Sequence, residues 1–244
     1  MIRFRVFGKS MLKDLSSLEK KLEITFKNKE LLKEALTHRS YLNENPSWPL
    51  PHNERLEFLG DAVLELVITE NLFKEYPQED EGKLTSIRAA LVNYLSLAEV
   101  ARTLDLEKYL LLSKGEAKDT GRARKVILAN ALEALLGAIY LDQGYQVVSN
   151  FIKKFIFSKA PEVIKEGLYK DAKSLFQELA QEKYKITPVY QVLEEVGPDH
   201  QKIFRVGLFL GDKKVAEGEG FSKQEAEIEA AKKGLAYVFK KTGN

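Results

Sequence analysis

Asn53-Glu54-Arg55-Leu56-Glu57-Phe58-Leu59-Gly60-Asp61-Ala62-Val63-Leu64 sets three acids at spacings of three and four inside an otherwise apolar run. Read as a helix, it puts Glu54, Glu57 and Asp61 on one face, because 3.6 residues per turn brings i, i+3 and i+7 into line. Leu56, Phe58, Leu59 and Val63 beside them are core-type residues. Carboxylates at such a place are costly to bury unless something pairs with them. A divalent cation bound through oxygen is the candidate partner.

Val126–Leu141 makes the same case more sharply, being apolar almost all round, as a helix in the interior of a domain is. Its polar exceptions, Asn130 and Glu133, lie one turn apart on one face, and Gly137 continues that face. Gly60 interrupts the first helix beside Asp61 in the same way. A glycine inside a helix costs roughly 1 kcal/mol relative to alanine. Two such costs beside acidic positions imply that something approaches the backbone closely there, and local rules broken together mark a functional site.

The rest of the chain sets bounds. Its 244 residues fit one large domain or two ordinary ones, and 44% hydrophobic content suits a sizeable core. The absence of cysteine excludes disulfides and thiolate-bound zinc, and suits a reducing cytoplasm. Uncharged apolar runs fall short of the roughly 20 residues a membrane helix needs, and the N-terminus lacks an apolar core of signal-peptide length. Net charge is only +2, so any nucleic-acid surface must be built by segregating charge between faces.

Residues 1–11 form an N-terminal extension. From residue 12 to 157 the apolar period is helical, with Leu18, Leu22, Leu31, Leu32 and Leu36 leading into the two acidic helices and Leu84–Leu104 reading as another long helix. Asn43–Asn53 and Ser113–Arg124 read as loops. Residues 158–169, with Pro161 and Gly167, read as a linker. From 170 to 240 the pattern changes. Asp171 N-caps a helix, Val189–Leu193 and Ile203–Leu210 read as strands, and Gly211-Asp212 turns a hairpin into Val215–Glu217. Ser222-Lys223-Gln224-Glu225 is a capping box opening a final helix, with Ile228, Ala231, Leu235 and Val238 inward. The fold class is α+β in two domains, an all-helical one followed by a small α-β-β-β-α one.

The twelve residues Asn53–Leu64 resemble the signature of the ribonuclease III family, endonucleases of double-stranded RNA, and Ile127–Leu141 resembles that family's second catalytic helix. Asp171–Glu178, Gly197–His200 and Gly218–Lys223 resemble a double-stranded-RNA-binding domain. The resemblance runs from about Leu18 to about Phe239 in the bacterial order, nuclease first. It implies that Glu57, Asn130 and Glu133 hold Mg²⁺, with Mn²⁺ expected to substitute, and that Asp61 and Glu133 are the residues whose loss stops chemistry. Two ions roughly 3.5–4 Å apart can clamp the attacking and leaving oxygens in such sites. Glu54 and Glu81 match supporting acids, Glu81 across a dimer interface, although each taken alone reads equally as a solvated charge. The family most often has Asp where this chain has Asn130, whose amide oxygen can coordinate magnesium but brings no charge. Either this lineage tolerates Asn, or the residue was altered to disable cleavage. His38 reads as a packing or hydrogen-bonding residue, since metal-activated water needs no histidine.

The second domain is expected to recognise duplex shape across about 16 base pairs. The resemblance assigns Gln177 and Glu178 to one minor groove, the loop with His200 to the next, and Ser222, Lys223 and Gln224 to the intervening phosphates, where a helix N-terminus favours anions. Gln224 replaces the family's usual second lysine. Lys114, Lys118, Arg122, Arg124 and Lys125 read equally as a phosphate-tracking loop or a solvated one. The whole reading is a magnesium-dependent endoribonuclease, a cytoplasmic homodimer that cuts both strands of precursor RNAs including ribosomal RNA and leaves 5′-phosphate, 3′-hydroxyl and two-nucleotide 3′ overhangs. The alternative is a duplex-RNA-binding dimer that cleaves weakly or not at all because of Asn130.

Overall fold

A computed structural model describes residues 14–169, 171–198 and 202–240, the last three as backbone. The chain divides between Lys165 and Glu166 into two compact units. The expected extension at residues 1–11 lies outside the described residues.

The first unit is helical: α1 (Leu15–Leu22), α2 (Lys29–Ala35), α3 (Arg39–Glu44), α4 (Glu54–Glu75), α5 (Glu81–Val92), α6 (Tyr94–Thr103), α7 (Arg122–Gln143), α8 (Tyr145–Phe155) and α9 (Ala160–Lys165), with short 3₁₀ turns between several of them. Helix α7 is the hub, packed against α2, α4, α6 and α8. It is long and apolar enough to cross a bilayer, yet much of it is buried in this unit as a core helix. The α4–α7 contact is the most extensive in the unit, and the reason is two glycines. A Cβ on Gly60 would lie 1.8 Å from the carbonyl oxygen of Glu133, and one on Gly137 would lie 2.2 Å from that of Leu56. What approaches the backbone at these glycines is therefore the facing helix.

Two expectations are corrected here. Leu84–Leu104 is not one helix. Asn93 is extended (φ −66°, ψ 154°), donates to the carbonyls of Ala89 and Ala90, and accepts from the N–H groups of Leu95 and Ser96, so one side chain ends α5 and starts α6. Nor is residue 158–169 all linker. Phe157–Lys159 forms a 3₁₀ turn and α9 continues to Lys165, with Ala160 and Val163 buried and α9 packed on α5. Pro161 sits in the first turn of α9, where a missing N–H costs nothing.

The second unit is α10 (Ala172–Tyr184), β1 (Val189–Val196), β2 (Ile203–Leu210), β3 (Lys213–Gly220) and α11 (Lys223–Lys240). The sheet is antiparallel in the order β1-β2-β3. Asp171 caps α10 by accepting from the N–H groups of Lys173 and Ser174 at 3.0 Å. Gly211 turns the β2–β3 hairpin at φ 58°, and β3 is longer at both ends than the sequence suggested. The core joins Phe176 and Ala180 of α10, Leu208 and Leu210 of β2, and Ala230 and Ala231 of α11. Ile228 and Leu235 of α11 are only half-buried, and the side chain of Val238 lies outside the described residues.

Candidate active site

Because α4 and α7 touch backbone to backbone at Gly60 and Gly137, the side chains flanking those glycines are forced together. Glu57 and Asp61 come from α4; Asn130 and Glu133 come from α7. The amide of Asn130 donates to the Glu57 carboxylate. Burial raises the carboxyl of Glu57 above its ordinary range, with the charges of Glu54 and Asp61 adding to the effect and the Asn130 hydrogen bond opposing it. The Glu133 carboxyl is pushed up to about 8, by burial first and then by the charges of Asp61 and Glu57. The four predicted side chains therefore form one electrostatically coupled cluster.

An all-oxygen donor set of three acids and an amide, under mutual repulsion, fits a hard divalent cation. Among the described residues no three Asp, Glu or His side chains are gathered tightly enough to cage an ion by themselves.

The flanking residues fall less neatly. Glu54 lies at the first turn of α4 within 3.6 Å of Arg39 and 3.8 Å of His52. Arg88 meets Glu65 at 2.9 Å. Glu81 is not in this cluster. It opens α5 and lines a groove with Phe73, Tyr76 and Leu84 at the far end of α4, about 18 Å of helix axis beyond Asp61 at 1.5 Å per residue. His38 caps α3, its Nδ1 accepting from the Ser40 N–H at 3.3 Å, and burial holds the ring below its ordinary pKa.

One expectation about α4 is wrong. Phe58, read as a core residue, is 82% exposed, and with Leu66 (58%) and Phe73 (73%) it forms an apolar stripe facing away from α7. The spacing of eight and seven residues keeps all three within an arc of about 80°. The sequence carried this signal as apolar positions on two faces of one helix.

In the second unit, Gln177, Glu178 and Gln224 are exposed. Ser222 Oγ accepts from the Glu225 N–H at 3.1 Å, and the Glu225 carboxylate accepts from the Phe221 N–H at 2.9 Å. Lys223 meets Glu195 of β1 at 3.2 Å and stands over the Phe204 ring. Lys202 reaches the same carboxylate at 3.6 Å, and the Lys223 hydrogen bond holds Glu195 below its ordinary range. Glu195 was missed in sequence because only the sheet register brings it to the start of α11. His200 lies outside the described residues. Of the basic loop, Arg124 is buried against Glu107 at 2.8 Å and so belongs to the core.

Comparison with known proteins agrees in both units. A family model described as Ribonuclease-III-like matches residues 28–160, and one for the double-stranded RNA binding motif matches 172–238. The chain is 46% identical over 221 residues to the Ribonuclease 3 of Borreliella afzelii (91% of this chain, 90% of that one). It is 48% identical over 222 residues to that of Carboxydothermus hydrogenoformans (91% and 94%). Among solved structures it is similar to the nuclease domain of Ribonuclease III from Campylobacter jejuni, a study of flexibility in the region involved in dimer formation. That match has a TM-score of 0.55, 41% identity, and covers 61% of this chain and 99% of that one.

Proposed function

This chain belongs to the ribonuclease III family of endoribonucleases and carries a double-stranded-RNA-binding domain, and from that premise we propose that it cuts both strands of duplex RNA at Glu57, Asp61, Asn130 and Glu133 with magnesium as cofactor. The observation that carries the reading is the backbone contact of α4 and α7 at Gly60 and Gly137, which sets Glu133 beside Asp61 and Glu57 with its carboxyl pushed up to about 8. Such a site repels its own charge and favours a hard cation. When bound, magnesium, or manganese in its place, supplies an activated water and neutralises charge on the phosphate and leaving oxygen.

The residues' own roles follow from their places. Glu57, Glu133 and the Asn130 amide oxygen hold the cation. Asp61, exposed at the lip of the cluster, orients water and takes up its proton. The Gly60–Gly137 contact keeps both sets of oxygens on a rigid frame. Water oxygen bonds to phosphorus, the P–O3′ bond breaks, and the departing O3′ takes a proton from solvent water, leaving a 5′-phosphate and a 3′-hydroxyl.

One cluster per chain faces two strands of substrate, so the working form is a twofold homodimer. The exposed Phe58, Leu66 and Phe73 side chains support that, because large apolar residues exposed on one side of a helix suit an association surface. Glu81 lies beside the stripe and fits a supporting role toward the partner's site. Paired sites across the minor groove give two-nucleotide 3′ overhangs. Structured ribosomal and messenger RNA precursors in the cytoplasm are the substrates this chemistry fits.

Asn130 favours a second reading, a dimer that binds duplex RNA and cleaves it weakly or not at all, since its amide engages Glu57 where a cation must compete. One assay separates the two. A long duplex is incubated with magnesium and, separately, with calcium. Short duplex products only with magnesium support the nuclease; retention on a gel without products under either ion supports the binder.

A further inference from the structure

Beside the acidic cluster lies a cleft of about 550 Å³, within the size range of small-ligand sites. His38, Arg39, Ser40 and Asn43 form one wall, and Arg122 and Val126 of α7 form the other. The cleft and the acids share elements. Val126 precedes Asn130 by one turn of α7, and Arg39 reaches Glu54, one turn before Glu57 on α4.

The walls are built by long-range hydrogen bonds. The His38 N–H donates to the Leu111 carbonyl at 3.1 Å, and the Leu111 N–H donates to that of Leu36 at 2.9 Å. The Ser113 N–H donates to Ser40 Oγ at 3.1 Å, and the Lys114 N–H donates to the Glu44 carboxylate at 3.2 Å. The loop after Leu111 is thereby pinned to α3. Arg122 is held over the Tyr94 ring, 5.8 Å from its centre. Because His38 Nδ1 accepts from Ser40, the neutral ring carries its proton on Nε2. The walls thus offer donors (two guanidinium groups, an imidazole N–H and the Asn43 amide) with an apolar patch at Val126. Phosphate and ribose oxygens are what such donors bind.

We propose that this cleft seats the phosphate and ribose of the nucleotide next to the cut, on the strand hydrolysed by this chain's own acids. Arg39 and Arg122 bind the phosphate, and Asn43 binds the ribose. Glu116, the one carboxylate among the lining residues, repels phosphate at its end and accepts from a 2′-hydroxyl, so it sets the strand's polarity. The inference rests on the duplex-RNA reading of the acids and divides the basic loop: Arg122 contacts RNA, whereas Arg124 is structural.

The test uses full-length protein, its R122A and N43A variants, and a duplex carrying 4-thiouridine. Irradiation in calcium should crosslink wild type within residues 38–43 or 122–127, and R122A should lose that crosslink. In magnesium, single-turnover cleavage at subsaturating RNA should slow about tenfold in R122A, the loss of one charge-assisted hydrogen bond, and should slow in N43A as well. Melting temperature and the magnesium midpoint should stay put. Crosslinks confined to other peptides, unchanged rates in both variants, or a slowing matched by a shifted magnesium midpoint would overturn the proposal. If wild type crosslinks in the cleft yet yields no products with magnesium, the cleft stands as a binding site and the catalytic reading fails.

Discussion

Asn130 donates to Glu57 where an aspartate would repel it, so this side chain both quiets the metal-free cluster and weakens its call for a cation. Asn130→Asp should therefore lower the magnesium concentration giving half-maximal duplex cleavage by about tenfold or more, the effect of roughly 1.4 kcal/mol or more at the ion. A magnesium titration of cleavage rate checks it, and an unmoved midpoint would count against Asn130 as a ligand. Glu133 carries a second expectation. Its folded pKa of about 8 lies above the ordinary 4.5, so between those pH values the folded chain holds a proton that the unfolded chain has released. Stability without metal must then fall as pH rises through that window, by up to about 1.4 kcal/mol per pH unit. Urea midpoints in EDTA from pH 5 to 8.5 should show the decline, which Glu133→Gln should flatten and magnesium should oppose.

Helices α4 and α7 cross without side chains between them, and the site exists because they do. At that crossing a methyl on Gly60 would meet the backbone oxygen of Glu133 at 1.8 Å, and neither partner is a flexible side-chain tip. The helices would have to separate, which exceeds ordinary overpacking and should cost upward of ~3 kcal/mol. Gly60→Ala should therefore lower the urea midpoint and also raise the magnesium requirement, because Glu57 and Asp61 would withdraw from Asn130 and Glu133. A variant of normal stability and normal magnesium midpoint would show that the close crossing is dispensable. Within α11 the same device recurs, with Gly218 of β3 lying against the backbone of Ala226 and Ala230.

Assembly belongs to the scale of the whole molecule. Phe58, Leu66 and Phe73 are exposed apolar residues on α4, on which the proposed association rests, and Phe73 also lines the groove that Glu81 lines. Phe73→Asp places a charge in that surface away from Glu57, Asp61, Asn130 and Glu133. It should weaken self-association at least a hundredfold, as loss of a buried aromatic anchor does, and convert paired strand cuts into nicks. Sedimentation velocity of the full chain and denaturing gels of nicked duplex report the two effects. Unchanged sedimentation would place the association surface elsewhere.

Periodicity and residue chemistry alone determined the helical first unit, the helices and strands of the second, and the placing of Glu57 with Asp61 and of Asn130 with Glu133 on one face each of two helices; that the two pairs meet was implied by the family resemblance and is brought about by the α4–α7 crossing. A carboxylate within an apolar helix and a mid-helix glycine are costly enough to be legible in one dimension. The break at Asn93, the helix at Ala160–Lys165, the exposure of Phe58 and the pairing of Lys223 with Glu195 were decided only in the tertiary structure. Each depends on which neighbour a side chain meets, and a helix apolar on two faces does not say from its sequence which face its own chain will cover. Spacing measures the cost of placing a residue inside; only packing chooses the partner that offsets it.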